Sequence, residues 1–289
     1  MSLISFSRDK FIPSSEVNLT VRGNYLSITR GYQVFSFFKT VNNGTPVFLE
    51  DHLSRILSNA SSMEMNVPFS KDKIRDLVYQ TLEKNDFSKN ECNIMIILAG
   101  KTPDDISGLV STQEVELFIV TSPIKKYPLE SYQNGIALGF YEFEREDAEV
   151  KTPYTYYWGM KAHRELVHNG PFDEVLYTSN KEILEGTTFS FFIVVDGEVK
   201  TSKADGRILG SITRKNLLRI MNEKNINHSE DIMLVDDILK ADEAFIASAN
   251  RDLIPVTSIN GKKIGNGNIG SVYKKLMSLY SEEIHTKNK

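Results

Sequence analysis

The apolar residues of this chain keep two different periods, and the switch between them restricts the folds open to it. Val34 to Thr40 is a run of β-branched and aromatic residues. Asn42-Asn43-Gly44 then supplies residues that accept a positive φ, and Pro46-Val47-Phe48-Leu49 returns as the partner strand, which predicts a hairpin. From about Asp51 the spacing turns helical, with Leu53, Ile56, Leu57, Ala60 and Met63 on one stripe. Ser70 is placed to cap a second helix, whose stripe is Ile74, Leu77, Val78 and Leu82. Strands are expected again at Ile94 to Leu98 and Val115 to Val120, on either side of a polar loop, Gly100 to Gly108, that contains Lys101, Asp104 and Asp105. The first half is therefore mixed strand and helix.

The second half repeats the mixture. A strand is expected at Ile136 to Phe143, a helix near Tyr156 to His168, and strands near Val175 to Thr178 and Phe191 to Val195 with a turn at Asp196-Gly197. Ser211 is placed to cap a helix running through Asn222, Phe245 to Ala249 reads as a short strand, and a last helix starts near Ser271. A length of 289 residues suits two domains of about 150 residues or one large unit. The polar stretch with Pro123 and Pro128 is the expected linker, 123–134, between an N-terminal domain, 1–122, and a larger C-terminal domain, 135–289.

Charge and cysteine usage narrow the function classes. Thirty-four basic against thirty-eight acidic side chains give a net charge of -4, which argues against a nucleic-acid surface. The sole cysteine, Cys92, excludes an internal disulfide and suits a reducing compartment. No apolar run approaches the ~20 residues of a membrane span, and Met1 to Ile12 lacks the pattern of a secretion signal. A cytoplasmic protein without a membrane partner is the expectation.

Chemistry concentrates between Lys151 and Arg214. Lys151 offers a primary amine, the group that condenses with an aldehyde and can then shuttle a proton; a lone lysine is more often a solvated loop residue. Glu185 sits between Leu184 and Gly186, just before an aromatic-rich stretch, where it is either a turn carboxylate or the partner of a pyridine nitrogen. Gly210-Ser211-Ile212-Thr213 opens a helix, and unpaired amides there can hold phosphate with help from a hydroxyl, although any capped helix looks similar. Arg55 on the earlier helix is a candidate for the same phosphate. Tyr156 is placed for a cofactor phenolate, with Tyr154 and Tyr157 competing. Gly265-Asn266-Gly267-Asn268-Ile269-Gly270 lacks the strand and acidic residue of a dinucleotide loop. The five histidines are scattered, so no metal site is expected.

These residues, in this order, resemble the fold-type-IV pyridoxal-phosphate enzymes, a group that includes branched-chain aminotransferases, D-amino-acid aminotransferases and aminodeoxychorismate lyase. The resemblance runs from about Gly31 to Leu276, through Gly31-Tyr-Gln-Val-Phe, Glu50-Asp-His-Leu-Ser-Arg55, Phe172-Asp-Glu-Val-Leu, Leu184-Glu-Gly186, Leu209-Gly-Ser-Ile-Thr-Arg214, Ala241-Asp-Glu-Ala-Phe and Ile254-Pro-Val256. It implies a two-domain fold of mixed α/β and α+β character and a homodimer that binds pyridoxal 5'-phosphate. Lys151 matches the lysine that carries the cofactor, Tyr156 the tyrosine near its oxygen and Glu185 the ring-nitrogen carboxylate. Arg55, Ser211, Ile212 and Thr213 match the phosphate site, with Ser248 and Ala249 at its second contact.

Departures bear on the substrate. Ser36 stands where the family often has an acidic residue, Ser190 replaces the usual asparagine after Glu-Gly, Ser211 is inserted, and Ser248-Ala249-Asn250 replaces consecutive hydroxyl residues. Leu98-Ala-Gly-Lys-Thr102 lacks the Arg-x-His carboxylate trap of the D-amino-acid enzymes, so the match leans toward branched-chain-like members. The implied reaction is transamination between an apolar L-amino acid and a 2-oxo acid, with Phe35, Phe37 and Lys101 as substrate-binding candidates. A pyruvate-releasing lyase and a non-catalytic binding protein of the same fold are the alternatives.

Overall fold

The computed structural model describes residues 3–87, 90–102 and 113–287. It divides into two compact units: 1–125 with 150–154 and 284–289, and 126–149 with 155–283. The expected linker, 123–134, holds a short helix, α4 (Leu129–Asn134) in the numbering used below, and the segment containing Lys151 falls with the first unit. The units are thus not the contiguous halves that composition suggests.

The first unit contains a six-stranded sheet formed by β1 (Ile4–Ser7), β2 (Lys10–Pro13), β3 (Gln33–Val41), β4 (Thr45–Pro46), β5 (Cys92–Gly100) and β6 (Val115–Pro123), in the order β2-β1-β6-β5-β3-β4. Every pairing in it is antiparallel. Residues of β3 alternate strictly, with Val34, Ser36, Phe38 and Thr40 buried and Phe35, Phe37 and Lys39 half-buried on the other face. The inward face packs on α2 (Leu49–Ser62) and α3 (Lys71–Lys84), where Phe38, Leu53, Ile56, Ile74, Val78, Ile94 and Ile96 share one core. Ser70 caps α3 as expected, its hydroxyl accepting from the Lys73 amide at 3.1 Å. The hairpin at Asn42-Asn43-Gly44 forms, but its return strand is only Thr45–Pro46. Phe48 turns left-handed at φ 50° and α2 begins at Leu49, two residues before the periodicity suggests. A short helix, α1 (Tyr25–Arg30), ends on Gly31 at φ 67°, where an added Cβ would lie 2.8 Å from Cβ of Tyr154. Both the left-handed turn and the close approach demand glycine there.

The second unit is built on a ten-stranded mixed sheet. Its strands are β7 (Ile136–Glu142), β8 (Glu174–Ser179), β9 (Glu182–Gly186), β10 (Ser190–Val195), β11 (Glu198–Ser202), β12 (His228–Asp231), β13 (Met233–Leu234), β14 (Glu243–Ser248), β15 (Asp252–Ile259) and β16 (Lys262–Lys263). The order is β12-β11-β10-β14-β15-β7-β8-β9-β13, with β16 hairpinned onto β15. The sheet curls back on itself, since Ser202 of β11 donates to the Ile183 carbonyl of β9 at 2.7 Å. β8, β10 and β14 are buried almost throughout because both faces are covered. One face carries Leu138, Leu176, Phe191, Ile193, Ile246 and Ile254. On the other, Phe192 and Phe245 stack at 4.9 Å, and Tyr273 of α7 (Ser271–Glu282) reaches Phe245. Two further helices complete the unit: α5 (Tyr156–His163), prolonged by a π-turn at Arg164–His168, and α6 (Ile212–Glu223). No helix among the described residues is long and apolar enough to cross a membrane.

Candidate functional site

The candidates gather into two clusters, one in each unit. In the first unit, the main chain of Lys151 is fixed from both sides: its amide donates to Asn59 Oδ1 of α2 at 2.9 Å, and its carbonyl accepts from the Phe35 amide of β3 at 3.1 Å. Thr152 Oγ1 adds a bond to the Gly31 carbonyl at 3.1 Å. Lys151 Nζ lies 4.7 Å from the centroid of the Phe35 ring, so the amine and the half-buried face of β3 meet. Phe37 occupies the same face two residues on.

Behind that face sits a polar relay. Arg55 Nη2 donates to Ser36 Oγ at 3.3 Å, and Ser36 Oγ lies 2.8 Å from His52 Nδ1. Phe38 stacks on the imidazole at 4.4 Å. Burial, with the charges of Arg55 and Lys151 added, holds His52 well below its usual range, so it stays neutral. The hydroxyl at Ser36 thus bridges a neutral ring and the predicted phosphate-binding arginine. Lys101 stands apart: its ammonium pairs with the exposed Glu114 at 2.9 Å. Asp104, Asp105 and Gly108 of the expected polar loop lie outside the described residues.

In the second unit, Glu185 is on β9 with 4% of its surface exposed, not in a surface turn. Its Oε1 accepts from the Leu209 amide at 2.9 Å and from Nη2 of Arg145, itself buried. Burial acts to lower the Arg145 pKa, but the Glu185 carboxylate outweighs it and the guanidinium stays charged. The phenol of Tyr177 belongs to this neighbourhood and is pushed up to about 12, chiefly by burial. Arg145 escaped the sequence reading because it stands within the acidic run Glu144 to Glu149 and looks like a solvated loop residue. A basic residue isolated among five acidic or small ones is the signal that was available.

Tyr156 opens α5 and lines a cavity of about 420 Å³ with Gly159, Met160, His163, Arg164, His168, Thr187 and Thr188. Of its competitors, Tyr157 is 61% exposed and Tyr154 packs on Gly31. Ser211 is the N-cap of α6, accepting from the Arg214 amide at 3.4 Å, and Ile212 and Thr213 form the buried first turn. The Thr213 hydroxyl is within hydrogen-bonding reach of buried Tyr280. Ser248 ends β14; its hydroxyl accepts from Arg251 Nε and donates to Asn250 Oδ1, both at 3.2 Å, and Ala249 follows half-buried. Among the described residues, no group of three or more histidine, cysteine or acidic side chains could hold a metal ion.

The chain is 26% identical over 261 residues to the D-alanine aminotransferase of Bacillus licheniformis, covering 88% of this chain and 90% of that one. It is 25% identical over 251 residues to the branched-chain-amino-acid aminotransferase of Pseudomonas aeruginosa, covering 84% and 80%. The fold superimposes on the branched-chain aminotransferase of Thermoproteus uzoniensis with a TM-score of 0.89 at 22% identity, covering 98% and 95%. The holo form of the Thermobaculum terrenum branched-chain amino acid aminotransferase gives 0.87 at 21%, covering 98% and 94%. Residues 33–259 match the family described as Amino-transferase class IV. On a match of that extent, the chain belongs to the class IV aminotransferases.

Proposed function

We propose that this protein is a pyridoxal 5'-phosphate-dependent aminotransferase that moves an amino group between an apolar, branched-chain-like L-amino acid and a 2-oxo acid. The observation that carries this reading is Glu185, a buried carboxylate that accepts hydrogen bonds from a buried arginine and a main-chain amide. Such a group is costly to bury unless it serves a cation. The donor set fits the cofactor: an amine at Lys151, a carboxylate at Glu185, and an arginine and helix-start amides for a phosphate at Arg55 and Ser211 to Thr213.

When bound, the cofactor supplies a protonated pyridine ring that withdraws electrons from the substrate α-carbon. Glu185 holds the proton at the ring nitrogen. Lys151 Nζ would hold the aldehyde until the substrate amine displaces it, and the freed amine would then carry the proton from the substrate α-carbon. The bonds that pin the Lys151 backbone to Asn59 and Phe35 limit its motion to its own side chain, which favours a short, repeatable proton transfer. Tyr156 orients the phenolate oxygen, and Ser248 and Ala249 give the phosphate its second contact. Phe35 and Phe37, half-buried on one face of β3, offer the substrate side chain an apolar wall. Lys101 is the remaining substrate-side candidate.

The working unit in this reading is a homodimer, checked by light scattering at assay concentration. The main test is Lys151→Ala, which should abolish turnover of L-leucine with 2-oxoglutarate and remove the absorbance of the covalently held cofactor. A variant with both retained overturns the proposal. Pyruvate release without any oxo-acid acceptor would replace transamination with a lyase reaction.

A further inference from the structure

Arg145 has no part in the roles assigned above, yet its side chain is one of the most deeply buried charges in the second unit. Only 6% of its side chain and 5% of that of Glu185 are exposed. Tyr177, whose phenol feels both charges, shares an apolar cluster with Leu184 and Ile208, the sequence neighbours of Glu185 and Leu209. The guanidinium of Arg145 and the amide of Leu209 both donate to the same oxygen of Glu185, Oε1. Two donors from different segments on one oxygen fix the plane of the carboxylate.

Resting on the transaminase reading, we infer that Arg145 is a positioning residue: it keeps Glu185 ionised and oriented, so that the carboxylate can hold a proton at the cofactor ring. The physical argument is one of alternatives. A carboxylate this deeply buried and deprived of its cation lowers its energy by taking up a proton. A protonated Glu185 is neutral and donates a hydrogen bond, and it can no longer stabilise a pyridinium. Arg145 also bounds the effect from the other side. Its positive charge weakens the pull of Glu185 on the ring proton, so ring protonation is tuned by the pair and not by the glutamate alone. Phenols act on the pair's guanidinium as well: Tyr156 and Tyr177 raise the pKa of Arg145, and Tyr141 acts on Tyr177. Tyr177, its phenol pushed up to about 12, is uncharged near neutral pH and cannot replace the guanidinium.

The test uses full-length R145M, R145K, E185Q and R145M/E185Q. In cofactor-free protein at neutral pH, infrared spectroscopy should show a protonated-carboxyl band in R145M that is absent from the wild type and from R145M/E185Q. In the holoenzyme, R145M should lose roughly tenfold or more in kcat with KM within about twofold of wild type, and R145K should regain most of it. R145M without the band, or with a wild-type pH dependence of the cofactor absorbance, overturns the inference. If R145M does not fold, R145Q decides, since it keeps hydrogen-bond donors without the charge: the pH at which its Glu185 band appears must lie above that of the wild type, and an unchanged pH overturns the inference. Wild-type protein that takes up no pyridoxal phosphate would sink the transaminase reading, while the infrared result would still judge whether Arg145 controls the charge on Glu185.

Discussion

Two helices of the second unit, α6 and α7, are both twelve residues long, yet their N-termini are treated differently. At α7 the positive end is filled from within: Glu243 of β14 places Oε1 on the Val272 amide at 3.0 Å and Oε2 on the Tyr273 amide at 2.8 Å. At α6 the cap is the neutral hydroxyl of Ser211, and the first turn holds no acidic residue. A helix start favours an anion in either case. The α7 end has its own, and the α6 end is the one that, in the proposed function, receives an anion from outside. The glycine-rich run at 265–270 is therefore structural, since its last member admits the Glu243 carboxylate, whereas the plainer Gly210-Ser211-Ile212-Thr213 is the phosphate candidate.

Substitutions can break this contrast in graded steps. The largest effect is expected from Gly270→Ala, because a Cβ there would sit 1.8 Å from Cδ of Glu243 and must expel the carboxylate. A loss of about 3 kcal/mol in urea unfolding is expected, against a change within about 0.5 kcal/mol for Gly210→Ala, whose Cβ meets nothing within 4 Å. Equal costs at the two glycines would erase the distinction. Glu243→Ala should cost about 2 kcal/mol by leaving two amides unsatisfied, and added sulfate should restore part of the midpoint by filling the vacated end. A response to sulfate no larger than that of wild type would contradict the filled-end description. Ser211→Ala should cost about 1 kcal/mol and weaken pyridoxal phosphate binding several-fold, read by fluorescence titration. The smallest effect belongs to a third helix start, α2, where Glu50 lies in the first turn and its pKa is lowered from 4.5 to about 2, mainly by its bond to Arg75. The stability from this shift is present above pH 4.5 and lost as pH falls toward 2. The pair is exposed and screened, so Glu50→Gln should flatten the fall of the thermal midpoint across that window only slightly.

What the sequence revealed follows from how sharply each element declares its period. α2, α3 and the β3–β4 hairpin were legible because their apolar spacings and turn residues agree. β9 was not, because its five residues begin with one glutamate and nearly end with another, and only the curled sheet makes the second a buried group. The first hairpin, β1 with β2, and the helix α1 offered runs too short to separate from loop. Within Ala241-Asp-Glu-Ala-Phe245, nothing local tells the exposed Asp242 from the buried cap Glu243. At the candidate site, Lys151, Glu185 and the α6 start were found through their order along the chain. Arg145, His52 and Asn59 required coordinates, since each acts through a partner at least sixteen residues away.

The five residues 150–154 belong to the first unit while the chain on both sides of them belongs to the second. For anyone building chimaeras within the family, this sets the splice rule. Grafting 126–283 from a relative as one block would import a foreign lysine segment and separate it from Gly31, Phe35 and Asn59, the residues that hold this one. A graft that respects the units exchanges 126–149 and 155–283 and leaves the host's own 150–154 in place. The lysine travels with the unit whose backbone grips it, whatever its neighbours in sequence suggest.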